Sequence, residues 1–198
     1  KQVAHTNCTL YGNCCLLQQF PEPMRKKVKP GLRARLVQAA ERRIQEGGIS
    51  ALSLRKLAQD TGVTTMATYH HFANKQALLV EIAVNGFTEL SGNMSKACAA
   101  ANSPQEAVTA TMRAYFRFAL AKPHIYHLMF GQEIQGKTLI PEFKEVSRRS
   151  FYIMADAIKA RLENTDHDVD RDAVGISFWG TLHGLVCLVT DGTILYKS

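Results

Sequence analysis

Ser53-Leu-Arg-Lys-Leu-Ala-Gln-Asp-Thr-Gly-Val-Thr-Thr-Met-Ala-Thr-Tyr-His-His-Phe72 reads as two short helices joined by a tight turn. Ser53 suits an N-cap, because its hydroxyl accepts an orphan amide hydrogen at a helix start. Leu54, Leu57, Ala58 and Thr61 then fall on one helical face. Gly62 ends that helix, where the chain needs a positive φ that glycine adopts at little cost. Val63 returns to the core, and Thr64 or Thr65 caps a second helix running through Tyr69, His70 and His71. Ala58 is small where the two helices cross, so they approach closely. This is the helix-turn-helix pattern, whose second helix enters the DNA major groove by its N-terminal end.

The residues that follow strengthen the reading. Asn74 caps a further helix and Lys75 opens it, where free amides and the positive end of the helix dipole attract phosphate. Phe72 reads as a core aromatic. Tyr69 in the core would carry a buried hydroxyl in need of a partner, so a DNA-facing position is expected.

Gly47-Gly48, the run Ala51-Leu-Ser-Leu-Arg-Lys-Leu-Ala58, Gly62-Val-Thr64, Tyr69-His-His-Phe72, Asn74-Lys75 and Ala77-Leu-Leu79 together resemble the DNA-binding domain of tetracycline-repressor (TetR) family regulators. The resemblance covers residues from about 32 to 90. It implies an all-α fold: a three-helix helix-turn-helix head joined by a linking helix to a larger helical ligand-binding and dimerisation domain. Thr68 departs from the pattern, standing where the family usually has Leu, Ile or Phe facing the small core of the head. Its methyl can pack there, but its hydroxyl needs a local backbone acceptor.

The net charge of +7 is unevenly distributed. Residues 24–75 hold eleven Lys/Arg against three acids, a balance of +8, whereas residues 76–198 balance to −1. A basic head on a neutral body is what binding to a phosphate backbone requires, and a uniformly basic chain would suggest a generic polyanion or membrane binder. A length of 198 residues allows one or two small domains with proper cores. No apolar run is expected to span a bilayer. The cysteines are Cys8, Cys14, Cys15, Cys98 and Cys187; the count is odd, no spacing fits a zinc site, and a reduced cytoplasm is expected.

Residues 1–23 show no helical period or cap and are expected to be a disordered or non-native extension. Residues 24–78 form the expected DNA-binding domain, opening with a basic arm at Arg25, Lys26, Lys27 and Lys29 that can lie on phosphates or in the minor groove. Residues 79–198 form the expected ligand-binding and dimerisation domain. Helix one spans about Gly31 to Glu46, with Leu36, Ala39, Ala40 and Ile44 as its apolar stripe. A helix starts at Lys75 and continues past Leu90. Ser103-Pro104 starts the next, running to Lys122. Pro123 to Phe130 is short and ends at Gly131. A long helix covers about Pro141 to Leu162, and the last covers about Arg171 to Tyr196.

Trp179-Gly-Thr-Leu-His183-Gly184 is similar to the Trp-x-x-x-His-Gly signature of the "WHG" class of TetR-family C-terminal domains. Trp179 and His183 are four apart and share a helical face. Gly175, Gly180 and Gly184 weaken a helix, which implies close approach by another backbone or room for a ligand. The resemblance implies that the last two long helices pair with those of a second copy. Ala155, Ile158 and Leu162, with Phe178, Leu182, Leu185 and Val189, are the expected apolar content of that pairing. Tyr115, Phe116, Tyr126, Met129, Phe130, Phe151, Met154, Trp179 and His183 are candidates to line a ligand pocket, although aromatic and Met residues at helical spacing usually make plain core. His183 suits a structural hydrogen-bonding role better than a ligand contact. No metal and no cofactor are expected, since His124, His127 and His167 share no ligand pattern.

The expected function is that of a homodimeric, sequence-specific transcriptional regulator acting on a near-palindromic operator. It is expected to be a repressor released by a small hydrophobic or aromatic effector. Ser53, Arg55, Thr64, Thr65, Met66 and Ala67 would meet base edges or phosphates, Met66 reading a thymine methyl. Tyr69, His71 and Lys75 would meet mainly phosphates, His70 would also face DNA, and Lys26 and Lys27 would lie on phosphates or in the minor groove. An architectural DNA-binding protein without an effector is the alternative. A helical enzyme finds no catalytic triad, metal set, phosphate loop or paired carboxylates to support it.

Overall fold

A computed structural model describes residues 31–163 and 170–194. Lys26, Lys27 and the rest of the basic arm, the N-terminal extension, and residues 164–169 before the last helix, among them Asp166, His167 and Asp168, lie outside the described residues. Among those described there are eight α-helices and no strand: α1 (Leu32–Gly47), α2 (Leu54–Thr61), α3 (Thr65–His71), α4 (Lys75–Ala99), α5 (Pro104–Ala121), α6 (Pro123–Phe130), α7 (Pro141–Leu162) and α8 (Arg171–Thr190). Single 3-10 turns at Ile49–Ala51 and Lys137–Leu139 were not legible in the sequence.

The helix ends follow local chemistry. Ser53 accepts from the Lys56 amide, Asn74 from Ala77 and Ser103 from Glu106. Of the two candidates before α3, Thr64 is the cap, accepting from the Ala67 amide at 3.2 Å. Gly62 has φ 67° and ψ 35°, the left-handed C-cap that a side chain would strain. The last helix stops earlier than its periodicity suggests, at Thr190 rather than Tyr196. Gly192 turns left-handed at φ 73°, and the Asp191 and Gly192 amides return to the Cys187 and Val189 carbonyls.

From Leu32 onward the chain forms one compact unit. Its core is continuous through α4. Leu36, Ile44, Leu57 and Phe72 from the head meet Leu78, Leu79 and Ile82 at the start of α4. Farther along, Phe87, Leu90 and Met94 meet Val108, Tyr115, Phe118, Tyr126 and Met154 from α5, α6 and α7. The expected boundary at residues 78 and 79 therefore falls inside an unbroken helix. α8 packs against α5 and α7.

Two expectations about α8 change. The stretch Asp172–Thr190 is long and apolar enough to cross a membrane by length and composition, although no such stretch was expected. Only 17% of it is buried within the chain. The apolar set assigned to a pairing with a second copy also divides. Ala155, Ile158 and Leu182 are buried inside the protomer. Leu185 remains exposed, and is joined by Ile176, Leu188 and, on α7, Tyr152, which the periodicity did not single out.

Candidate nucleic-acid interface and interior aromatic cluster

α3 lies against α2, held by the turn at Gly62 and Val63 and by Thr68, which is fully buried. The Thr68 hydroxyl donates to the Thr64 carbonyl at 3.4 Å, the backbone acceptor that a polar residue at this position needs. Burying one side of α3 turns the other outward. Thr64 and Thr65 are exposed, Met66 is 78% exposed and Tyr69 51%, and His70 is exposed. Ala67 and His71 are half-buried, Arg55 is exposed on α2, and Phe72 is core. Lys75 is half-buried, with its ammonium donating to the Ile49 carbonyl at 2.8 Å. That bond uses one of three ammonium hydrogens and ties the start of α4 to the turn after α1.

The positive charge of the head is less uniform than the sequence count implies. Three α1 arginines are held by partners within the head, although Arg33 and Arg35 stay exposed. Arg33 pairs with Glu81, donates to the His71 carbonyl at 2.9 Å and stacks over the Phe72 ring. Arg35 donates to the Thr61 carbonyl at 2.7 Å. Arg43 pairs with Asp60, and its guanidinium holds the Asp60 carboxyl below the ordinary carboxylate value. Nothing in the local sequence distinguishes these arginines from Arg55, because their partners lie 17 to 48 residues away.

Most of the predicted pocket residues come together, as a packed aromatic cluster. Tyr115 meets Tyr126, Trp179 and Phe130, and Phe151 reaches Trp179 edge-on at 5.7 Å between centroids. Phe130 also lies 4.7 Å from the His183 ring. Met129 and Met154 are buried, and Phe116 is half-buried against the core.

At the centre of the cluster the Tyr115 and Tyr126 hydroxyls lie 2.7 Å apart, and His183 Nδ1 lies 2.5 Å from Tyr126 Oη and 3.3 Å from Tyr115 Oη. Burial pushes both tyrosine hydroxyls well above their ordinary pKa. Burial, with a contribution from His127, holds His183 below the usual histidine value, so the imidazole is neutral at pH 7. With hydrogen on Nε2, Nδ1 accepts from Tyr126 and Tyr126 accepts from Tyr115. Nε2 faces Cys187 Sγ at 3.6 Å. Cys187 was not singled out by its sequence context.

Two open grooves lie elsewhere, and neither is lined by the predicted residues. One, of about 430 Å³, opens between α1, α4 and α6 beside Glu41, Gln45, Glu89 and Lys122. The other, of about 370 Å³, is apolar and runs along α5 and α8 beside Met112, Val174, Phe178 and Leu182. α6 connects the two ends of the molecule. Gln45 of α1 donates to the Ala121 carbonyl just before it, Tyr126 and Phe130 face His183, and Lys137 donates to the Met129 and Gly131 carbonyls at its end.

Residues 36–82 match the model of bacterial regulatory proteins of the tetR family, and residues 108–196 match that of the tetracyclin repressor-like C-terminal domain. The chain is 26% identical over 145 residues to the HTH-type transcriptional regulator Rv1816 of Mycobacterium tuberculosis, covering 72% of this chain and 62% of the relative. It is 26% identical over 118 residues to the HTH-type transcriptional repressor KstR2 of Mycolicibacterium smegmatis, covering 60% and 57%. It thus spans less than two-thirds of the length of these curated relatives. A solved protein of unknown function from Rhodococcus sp. RHA1 superposes with a TM-score of 0.75 at 26% identity, over 90% of this chain and 91% of that one. Both halves of the fold thus match models of a single family, and the chain belongs to the TetR family of bacterial regulatory proteins.

Proposed function

We propose that the protein is a homodimeric, sequence-specific transcriptional repressor, released from a near-palindromic operator by a small hydrophobic or aromatic effector. The observation that carries this reading is the outward face of α3. Its inner face is anchored by Thr68, while Thr64, Thr65, Met66, Tyr69 and His70 stand in solvent. A short helix with one anchored face and one polar, exposed face is what entry into a major groove requires. Met66 contacts a thymine methyl. Tyr69, His71, Lys75 and Arg55 meet phosphates, with Lys26 and Lys27 adding contacts from the arm.

The dimer reading rests on α8. It is apolar, largely uncovered, and carries Gly180 and Gly184 where an added Cβ would meet nothing within 4 Å. Within the protomer those glycines answer no packing need, so close approach by a second backbone accounts for them. A two-fold pair of α3 helices would then read half-sites roughly 34–36 Å apart.

The effector binds where Tyr115, Tyr126 and His183 converge among aromatic rings. Parting Tyr126 and Phe130 from His183 displaces α6, and with it the contact to α1. Such an effector shifts the head spacing only to the extent that it prefers the displaced state. The name of the KstR2 relative, a repressor, favours repression over activation. The protein acts in the cytoplasm, without enzymatic activity of its own. Selection of DNA from a random pool with the purified chain tests the reading. A two-fold symmetric enriched motif is expected, and enrichment of no motif would overturn it in favour of an architectural role.

A further inference from the structure

We propose that Arg33 is a positioning residue for the reading helix rather than a phosphate ligand, and that it raises the discrimination between operator and random DNA. This rests on the DNA-binding reading above. α3 has only seven residues, and its N-terminal end is fixed by the Gly62 turn and the Thr64 cap. Its last carbonyls have no partner within the helix, which is the general state of a helix C-terminus. Arg33 supplies one. Nη1 donates to the His71 carbonyl at 2.9 Å, while Nε and Nη2 grip both oxygens of Glu81 on α4. The guanidinium carbon lies 4.6 Å from the centre of the Phe72 ring, so the same planar group also covers the residue that ends α3. One side chain of α1 thus ties the end of α3 to α4. Glu81 pairs with its charge, while the Arg33 side chain itself stays 54% exposed.

A planar fork with several fixed donors can hold three partners at once, whereas a lysine ammonium is a point charge on a flexible stem. Loosening the end of α3 would misplace base-reading side chains without changing the number of phosphates neutralised. Phosphate count governs the salt dependence, and base-edge geometry governs the specificity ratio.

The test measures affinity for the selected operator and for random duplex DNA across a salt series, using the full chain and its Arg33→Lys and Glu81→Gln variants. Arg33→Lys is expected to lower the operator-to-random affinity ratio about tenfold with random-DNA affinity and salt slope unchanged, as loss of base readout alone would do. Glu81→Gln keeps Arg33 but frees its guanidinium, so it is expected to lower the ratio similarly while steepening the salt slope. Combining the two should cost no more in the ratio than the worse single change, because both break one clamp. A further variant, Arg33→Gln, removes the charge, and an equal fall in both its affinities with a shallower salt slope would make Arg33 a phosphate ligand. Unchanged ratios in both Arg33→Lys and Glu81→Gln would remove the positioning role. If Arg33→Lys fails to fold, Glu81→Gln decides alone. A parent chain with no specific site would instead refute the regulator reading itself.

Discussion

Thr68 illustrates how far single residues could be read in advance. A hydroxyl in the small head core demands a backbone acceptor, and the Thr64 carbonyl provides it at 3.4 Å. That bond is long, so little stability rests on it. Thr68→Val, which keeps the shape and removes the hydroxyl, should leave stability unchanged or raise it by up to about 1 kcal/mol. Urea denaturation checks this, and a clear loss would show that the hydroxyl matters. Met66 stands free of the core, so Met66→Ala should leave stability unchanged and alter base preference at one position in each half-site; the motif selected by the variant reads this directly. Lys75→Ala should weaken binding to all sequences alike and lower the salt slope by roughly one unit. The bond from Lys75 to Ile49 adds a structural role that a binding titration alone would not separate, so its thermal melt is needed beside it. The exposure of Met66 and the caps were legible because they depend on neighbours within a turn or two. The pairing of Arg33, Arg35 and Arg43 was not, since their partners come from distant helices.

At the scale of the helix, periodicity placed α5, α6 and α7 well but overran the end of α8. The apolar pattern continues through Ile194-Leu-Tyr196, while the backbone turns at Gly192, and only the geometry of that turn decides between them. The bond between α6 and α8 through Tyr126 and His183 has a consequence for pH. The native His183 pKa is lowered by burial, so on acidification the unfolded chain binds a proton near the ordinary value of 6.5 before the native chain does. Stability is therefore full above about pH 6.5 and falls as pH drops below it. His183→Gln, which cannot titrate, should show a flatter stability profile between about pH 5 and 7 than the parent, measured by thermal melts through that range. Equal slopes would mean that His183 is protonated as readily in the fold as outside it. Tyr115, Tyr126 and His183 were among nine residues read as lining a pocket or making plain core, and only the fold joins these three by hydrogen bonds. The sequence cannot distinguish lining a space from filling it.

Across the whole molecule, the uncovered face of α8 is the feature least explained by a single chain. Exposed Ile176, Leu185 and Leu188 along an apolar helix are costly in water and favourable in an interface. Gly180→Phe places a large side chain where the protomer has open space. It should leave the fold intact, shift the protein from dimer to monomer by sedimentation, and reduce operator affinity far more than affinity for random DNA. A variant that stays dimeric would move the interface elsewhere. The basic head, the outward face of α3 and the proposed pairing of α8 helices together predict a strong preference for one symmetric site. The most direct test is the affinity of the full chain for its selected site and for random duplex DNA at two salt concentrations. A ratio of about 10³ or more, with both affinities falling steeply as salt rises, is the expected result. Equal affinities at both concentrations would contradict the account, leaving a basic protein that holds DNA without reading it.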